Sequence, residues 1–256
     1  MGCEGYSALA RVYDRLNADL DYGAWADFIE ACFKKYLKKA PELVLDLACG
    51  TGTMTRVLSA RGYDMIGVDG SADMLSEAYS LGNGDGKILY LCQDMRSFEL
   101  YGTVGAVISC LDSINYLLTE DDLRATFAGV HNYLDPDGLF LFDVNSPYKF
   151  SEIYGNCAYV LEDEAPDGGA VFCGWQNEYD AESGICDFWL SIFEENEDGR
   201  YDRSDEHQRE RCYSMETLCR LLEQAGFEWL GAFGDFQFSA PTEKTERWYI
   251  AARAKK

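Results

Sequence analysis

Cations are scarce in this 256-residue chain: 22 Lys and Arg stand against 45 Asp and Glu, a formal net charge of -23. Binding nucleic acid or an anionic lipid surface depends on Lys and Arg neutralising phosphate, so neither nucleic acid nor a membrane is an expected partner. Histidine is scarcer still, with only His131 and His207. No stretch reaches the roughly 18 apolar residues of a membrane span. The opening "MGCEGYSALARVYDRLN" lacks the apolar core of a signal peptide, and Tyr6 stands where a myristoylation pattern wants Ser or Thr, so Gly2 and Cys3 make poor lipidation candidates. A cytoplasmic location is expected. Close cysteine pairs are missing too: none of the ten lies within four residues of another. Structural zinc sites use such pairs, so no metal is expected. Several cysteines sit in apolar runs ("ILYLCQD", "GAVISCLD"), where a reduced thiol acts as a small hydrophobe.

What the chain does have is material for a large core, 47% hydrophobic and 14% aromatic. A chain of this length suits one domain, or one domain with an insertion, and buries roughly 70–75% of its unfolded surface. "YSALARVYDRLN" reads as a short helix, and residues 24–39 as a longer one with Trp25, Phe28, Ile29, Cys32 and Phe33 at helical spacing, closed by Pro41. Then strand and helix alternate. "LVLDLA", "DMIGVDG", "KILYLCQD", "VGAVISC" and "GLFLFDVN" are the strands, with Ser71 and Thr119 as caps of intervening helices. Such alternation predicts a parallel sheet with helices on both faces. From 151 to 210 the pattern breaks: 17 acids face 3 bases, and four strand-like runs are separated by "PDGG", "AESG" and "EDG" turns. "SMETLCRLLEQAGF" then reads as a helix between Ser214 and Gly226, and "EWLGAFGDF" and "RWYIAARA" as an edge hairpin.

The most informative stretch is "LVLDLACGTGTMT", an apolar strand breaking into glycines ahead of a helix. Gly50 and Gly52 tolerate positive φ and let a ligand approach the backbone, and the helix start offers free N–H groups. Either a dinucleotide or a sulfonium nucleoside suits such a turn. The third glycine of a dinucleotide fingerprint falls on Thr55, off-pattern, while Asp69 at the end of the second strand suits either ligand's ribose. Two further acids tip the choice. Asp46 is buried in the first strand, a costly position unless it works, by holding a cationic ligand or by orienting the glycine loop. Asp94 in "CQDM" stands where a carboxylate can accept from an adenine amino group.

Taken together, "LDLACGTG", "VDGSADML", "CQDM", "LDPDGLFLFDV" and "LLEQAGF" resemble, in order, the motifs of class I S-adenosylmethionine-dependent methyltransferases of the small-molecule type. The resemblance covers about residues 40–150 and 213–253 and departs at Ala48, where the family often has Gly. It implies a Rossmann-like, doubly wound seven-stranded α/β sheet with a C-terminal antiparallel hairpin and an inserted antiparallel β subdomain. The expected division is a helical cover over 1–40, a cofactor domain over 41–150 and 213–256, and an acidic insertion over 151–212. S-adenosylmethionine is the implied cofactor and S-adenosylhomocysteine its product. The implied binding residues are Tyr13, Asp46, Ala48, Cys49, Gly50, Gly52, Asp69, Gly70, Met74, Asp94, Met95, Cys110 and Leu111.

No residue declares itself as a base. His207, Asn145, Asp112 and Asn115 are the pocket candidates: His207 in a polar run, the others after the fifth and fourth strands, where open α/β sheets bind ligands. Tyr148, Lys149 and Ser113 share those edges, while His131 and the tryptophans Trp175 and Trp189 read as structural. The expected activity is methyl transfer to nitrogen, ahead of oxygen, of a small molecule such as an amine or cation, by a monomer or homodimer. A nicotinamide-dependent oxidoreductase and a non-catalytic S-adenosylmethionine-binding protein stay open as alternatives.

Overall fold

A computed structural model describes residues 8–83, 86, 88–164 and 169–256; Gly2, Cys3 and Tyr6 lie outside them. Helices α1 (Ala8–Leu16) and α2 (Tyr22–Tyr36) lead into a run of β1 (Leu43–Leu47), α3 (Thr53–Ala60), β2 (Asp64–Asp69), α4 (Ala72–Ser80), β3 (Ile88–Cys92), β4 (Val104–Ser109), α5 (Glu120–Tyr133) and β5 (Leu134–Asn145). The insertion supplies β6 (Ala158–Glu164), β7 (Ala170–Asp180), β8 (Ile185–Glu195) and β9 (Tyr201–Arg211), and α6 (Met215–Gln224), β10 (Phe227–Phe233) and β11 (Arg247–Ala254) complete the chain. The main sheet runs β10-β11-β5-β4-β1-β2-β3, parallel except for the β10–β11 hairpin, and the insertion is a four-stranded antiparallel sheet in sequential order.

The main sheet is covered on both faces, which is why its strands read as unbroken apolar runs rather than an alternation. Val44, Ala106, Leu139, Leu141 and Ala251 pack toward α2, α3 and α4. Their neighbours Leu45, Val107, Phe140, Phe142 and Ala252 pack toward α5 and α6. The caps work as the sequence implies: Ser71, Thr119 and Ser214 accept the N–H groups of Met74, Asp122 and Thr217.

Helices α1 and α2 pack on different sheets. Helix α2 packs on the main sheet beside α3. Helix α1 instead joins the inserted sheet, burying Ala8, Leu9 and Val12 against Val171, Phe188, Leu190 and Phe150. Polar ties reinforce it: Leu9 N–H to Glu206 (2.8 Å), Arg11 to Glu194 (2.8 Å) and Arg15 to Asp163 (2.6 Å). Among the described residues no helix is long and apolar enough to cross a membrane, and all nine described cysteines are free thiols.

Candidate active site

The carboxyl ends of β1, β2, β3 and β4 converge on a cleft of about 970 Å³, open solvent at its mouth included. Twelve of the thirteen expected binding residues line it: Tyr13, Asp46, Ala48, Cys49, Gly50, Asp69, Gly70, Met74, Asp94, Met95, Cys110 and Leu111. The β1–α3 turn is shaped by backbone. Ala48, Gly50 and Gly52 all have positive φ, and Asp69 fastens the turn by accepting Gly50 N–H and Ser71 N–H, each at 2.8 Å. A Cβ on Gly50 would meet only Met74 Sδ, at 4.0 Å, so the space above it belongs to the cleft.

Gly52 is the exception among the thirteen, and its reason for being glycine is internal. A Cβ there would sit 2.4 Å from Tyr90 Oη, and a Cβ on Gly67 would sit 2.7 Å from the same ring. The Tyr90 ring is wedged under the turn, with Tyr79 edge-on at 5.3 Å and donating its hydroxyl to Tyr90 O. Gly52→Ala is expected to cost about 2–4 kcal/mol through this clash and the positive φ. Adding Tyr90→Phe removes the hydroxyl and should restore part of it. Denaturant melts of the single and double variants test this, and an unchanged midpoint for Gly52→Ala would refute it.

Asp46 is 1% exposed on the cleft floor. Thr55 Oγ1 donates to it at 2.5 Å, and among the described residues no cation pairs with it. Burial, with Asp69 adding to it against the Thr55 hydrogen bond, pushes its carboxyl up to about 7. Burial also raises Asp69, and it raises the Cys49 and Cys110 thiols well above their ordinary range with help from Asp46. Asp94 lines the cleft in company: Arg96 engages both its carboxylate oxygens (2.5–3.1 Å) and holds it below the usual range.

The start of α3 is also taken. Asp14, reaching from α1, accepts Thr51 Oγ1 at 2.7 Å and Thr53 Oγ1 at 3.2 Å. In a dinucleotide site the pyrophosphate would lie close by; here Asp14 is joined by Arg56, which donates to Thr51 O at 2.6 Å and to Thr53 Oγ1 at 2.9 Å. What favours a cationic nucleoside over an anionic dinucleotide is the floor carboxylate of Asp46, which no cation neutralises among the described residues.

Known proteins agree. The methyltransferase domain family matches residues 44–138. YqeM of Bacillus subtilis (strain 168), which is named as a methyltransferase without a stated substrate, is 33% identical over 98% of each chain. The chain belongs to the class I S-adenosylmethionine-dependent methyltransferases. An S-adenosylmethionine-dependent methyltransferase from Clostridium acetobutylicum ATCC 824 has the same fold, with a TM-score of 0.83 and 32% identity over 98% of this chain and 99% of that one. A glycine/sarcosine N-methyltransferase of Halorhodospira halochloris is 29% identical over 78% of this chain and 70% of its own length. S-adenosylmethionine is thus the methyltransferase's cofactor, and the site suits it. A floor carboxylate without a counter-ion meets a cationic ligand, and the Gly50 cradle leaves room beside it.

The four candidate catalytic residues of the methyltransferase lie outside the cleft wall. His207 is on the outer face of the inserted sheet, stacked on Trp189 (5.2 Å, 9°) and 2.6 Å from Asp187, because its neighbours Glu206 and Gln208 take the inner face. Trp189 is accordingly exposed, while Trp175 packs inward against Phe188. Asn115 and Asn145 are structural ties: Asn115 Nδ2 donates to Arg211 O, and its Oδ1 accepts Asn145 N–H at 3.0 Å. Asp112 is turned behind Leu111, 2.7 Å from Arg247. His131 packs edge-on to Phe227. Sequence reasoning missed Tyr22, Thr51, Thr53, Gln93 and Tyr116 in the wall. Thr51 and Thr53 lie inside the quoted motif, but nothing local marks Tyr22 or Tyr116.

Proposed function

We propose that the protein methylates an amine nitrogen of a small metabolite. The carrying observation is the make-up of the cleft wall among the described residues: it holds no histidine, its raised carboxyl Asp46 is engaged by Thr55 and assigned below to the cofactor, and burial pushes the thiols of Cys49 and Cys110 well above their ordinary range. A neutral amine attacks without a general base, whereas a hydroxyl gains much more from one. The name of the Halorhodospira relative, a glycine/sarcosine N-methyltransferase, points the same way.

When bound, S-adenosylmethionine supplies an electrophilic methyl group on a sulfonium with a neutral leaving group. The chain's work is then positioning and desolvation, for which effective molarity alone offers roughly 7–11 kcal/mol. In this assignment Asp69 holds the ribose and Asp46 and Gly50 face the methionine portion. Met74 and Met95 flank the adenine, whose amino group Asp94 meets. Cys110 and Leu111 line the approach to the sulfonium, and Tyr13 lies over it from α1. The test is transfer of labelled methyl into paired amine and alcohol extracts of small metabolites. Label on nitrogen is expected; label confined to oxygen would sink the assignment.

A further inference from the structure

Cys110 and Leu111, assigned above to the approach to the sulfonium, are followed by a short stretch that continues the same wall. Leu111 and Asp112 both have positive φ, and the backbone then closes a single 3₁₀ turn over Ser113–Tyr116. Side chains three residues apart eclipse on such a turn, so Ser113 and Tyr116 share one side of it, and both line the cleft. Each hydroxyl spends its one proton on the chain. Ser113 Oγ donates to Cys110 O at 2.8 Å, and a carbonyl only accepts. Tyr116 Oη donates to Gln208 Oε1, also at 2.8 Å. That amide is held the right way round: its Nε2 donates to Glu206 Oε2 at 3.2 Å, while Glu206 Oε1 accepts Leu9 N–H at 2.8 Å. Gln208 and Glu206 are both buried.

A hydroxyl has one proton and two lone pairs. With their protons spent, Ser113 and Tyr116 offer a ligand lone pairs only. Farther along the wall Thr51 and Thr53 are committed likewise, to Asp14, and Asp46, Asp69 and Asp94 add three carboxyl groups to the lining. Among the described residues no Lys, Arg or His lines the cleft. Tyr22 of the wall donates to nothing among the described residues and lies within electrostatic reach of Arg56 as well as Asp14, so it suits the carboxylate that the cofactor itself carries. The cleft therefore receives hydrogen-bond donors and positive charge well. A second anion would lose its water and find no cation beside three carboxyl groups. The net charge of -23 acts in the same direction, because an acid-lined cleft concentrates cations and thins out anions.

We propose that the methyl acceptor is a primary or secondary amine that carries no carboxylate or phosphate, and that Ser113 and Tyr116 position it by accepting its N–H groups. This rests on the amine assignment above and narrows it to acid-free amines. Lone pairs on one side of a turn match the N–H groups of a neutral amine and leave the nitrogen's own lone pair for the methyl group. A nitrogen with no N–H group has nothing to give them, so transfer stops at the tertiary amine and forms no quaternary ammonium. An amino acid differs from such an amine by its acid, and it is the acid that finds no partner here.

The test is transfer of labelled methyl from S-adenosylmethionine into an extract of small metabolites. The products are passed over an anion-exchange resin at about pH 12, where amines are neutral and carboxylates and phosphates stay charged. Label on nitrogen is expected in the unretained fraction, in secondary and tertiary amines. Ser113→Ala and Tyr116→Phe should each raise the apparent KM for the unretained amines by about five- to tenfold. Ser113→Thr, which keeps a hydroxyl, should restore most of the loss. Calorimetric affinity for S-adenosylhomocysteine stays parental in all three variants, showing that the fold and the cofactor site are kept; a merely structural role would weaken it together with KM. Nitrogen label retained by the resin, a labelled quaternary ammonium, or a parental KM in either Ser113→Ala or Tyr116→Phe overturns the proposal and leaves the amine assignment standing. Label confined to oxygen, or no labelled product, removes the amine assignment and this proposal with it.

Discussion

At pH 8, Asp46→Asn is expected to be more stable than the parent protein without ligand, yet to bind S-adenosylmethionine at least about tenfold more weakly. Both effects follow from one buried carboxyl. Burial raises it from an ordinary 3.8 to about 7, with no cation beside it among the described residues. A folded-state value above the unfolded one means that the folded protein binds the proton more tightly. Its stabilising contribution is therefore complete below about pH 4 and is lost as pH rises through 7. At pH 8 the parent protein carries a cost on the order of 3–4 kcal/mol for the ionised group, and the amide does not. The stability difference should close toward pH 4. Ligand binding runs the opposite way: the cationic donor selects the ionised form, so parental affinity falls by up to about tenfold per unit below pH 7, while that of Asp46→Asn stays flat. Thermal melts of the free protein and calorimetric affinities at pH 5.5 and 8 measure both, and a parental affinity independent of pH would contradict the argument.

Arg247→Met is expected to cost about 3–5 kcal/mol, because breaking a buried pair leaves its partner charged and uncompensated. Here two partners are stranded. Asp143 is 1% exposed in its side chain and Asp112 16%. Burial already raises Asp143 against the pull of Arg247, so without the guanidinium it would fold protonated or not at all. Asp143→Asn in the same chain should recover part of the loss, since an amide oxygen still accepts a backbone N–H group from Leu111 or Asp112. Denaturant unfolding of the three proteins reads the result, and a loss below about 1 kcal/mol for Arg247→Met would mean that the pair contributes little.

How much could be read from the sequence follows from how local each feature is. The β1–α3 turn, Asp69, Met74 and Met95 fall in contiguous motifs, and nine of the ten residues named from those motifs line the cleft. Gly52 was legible as a glycine that must be one, but its reason, the Tyr90 ring, lies 38 positions away. The contact of Arg247 with Asp112 and Asp143 was illegible, since the three come together only in three dimensions. His207 shows a different limit. In "DRSDEHQRER" no apolar residue sets the phase of the strand, so alternation cannot say which set points inward. The buried set is Glu206, Gln208 and Glu210, and the histidine takes the other side.

Helix α1 has a bearing on how this protein can diversify. Tyr13 lines the cleft and Asp14 accepts the Thr51 and Thr53 hydroxyls at the start of α3, yet the body of the helix is fastened to the inserted sheet. One helix thereby couples cleft and insertion. A substitution that shifts the inserted sheet also disturbs the cofactor cleft, and events at the two places are linked with equal force in both directions. The insertion is not a free module. It can change only along paths that keep the donor held.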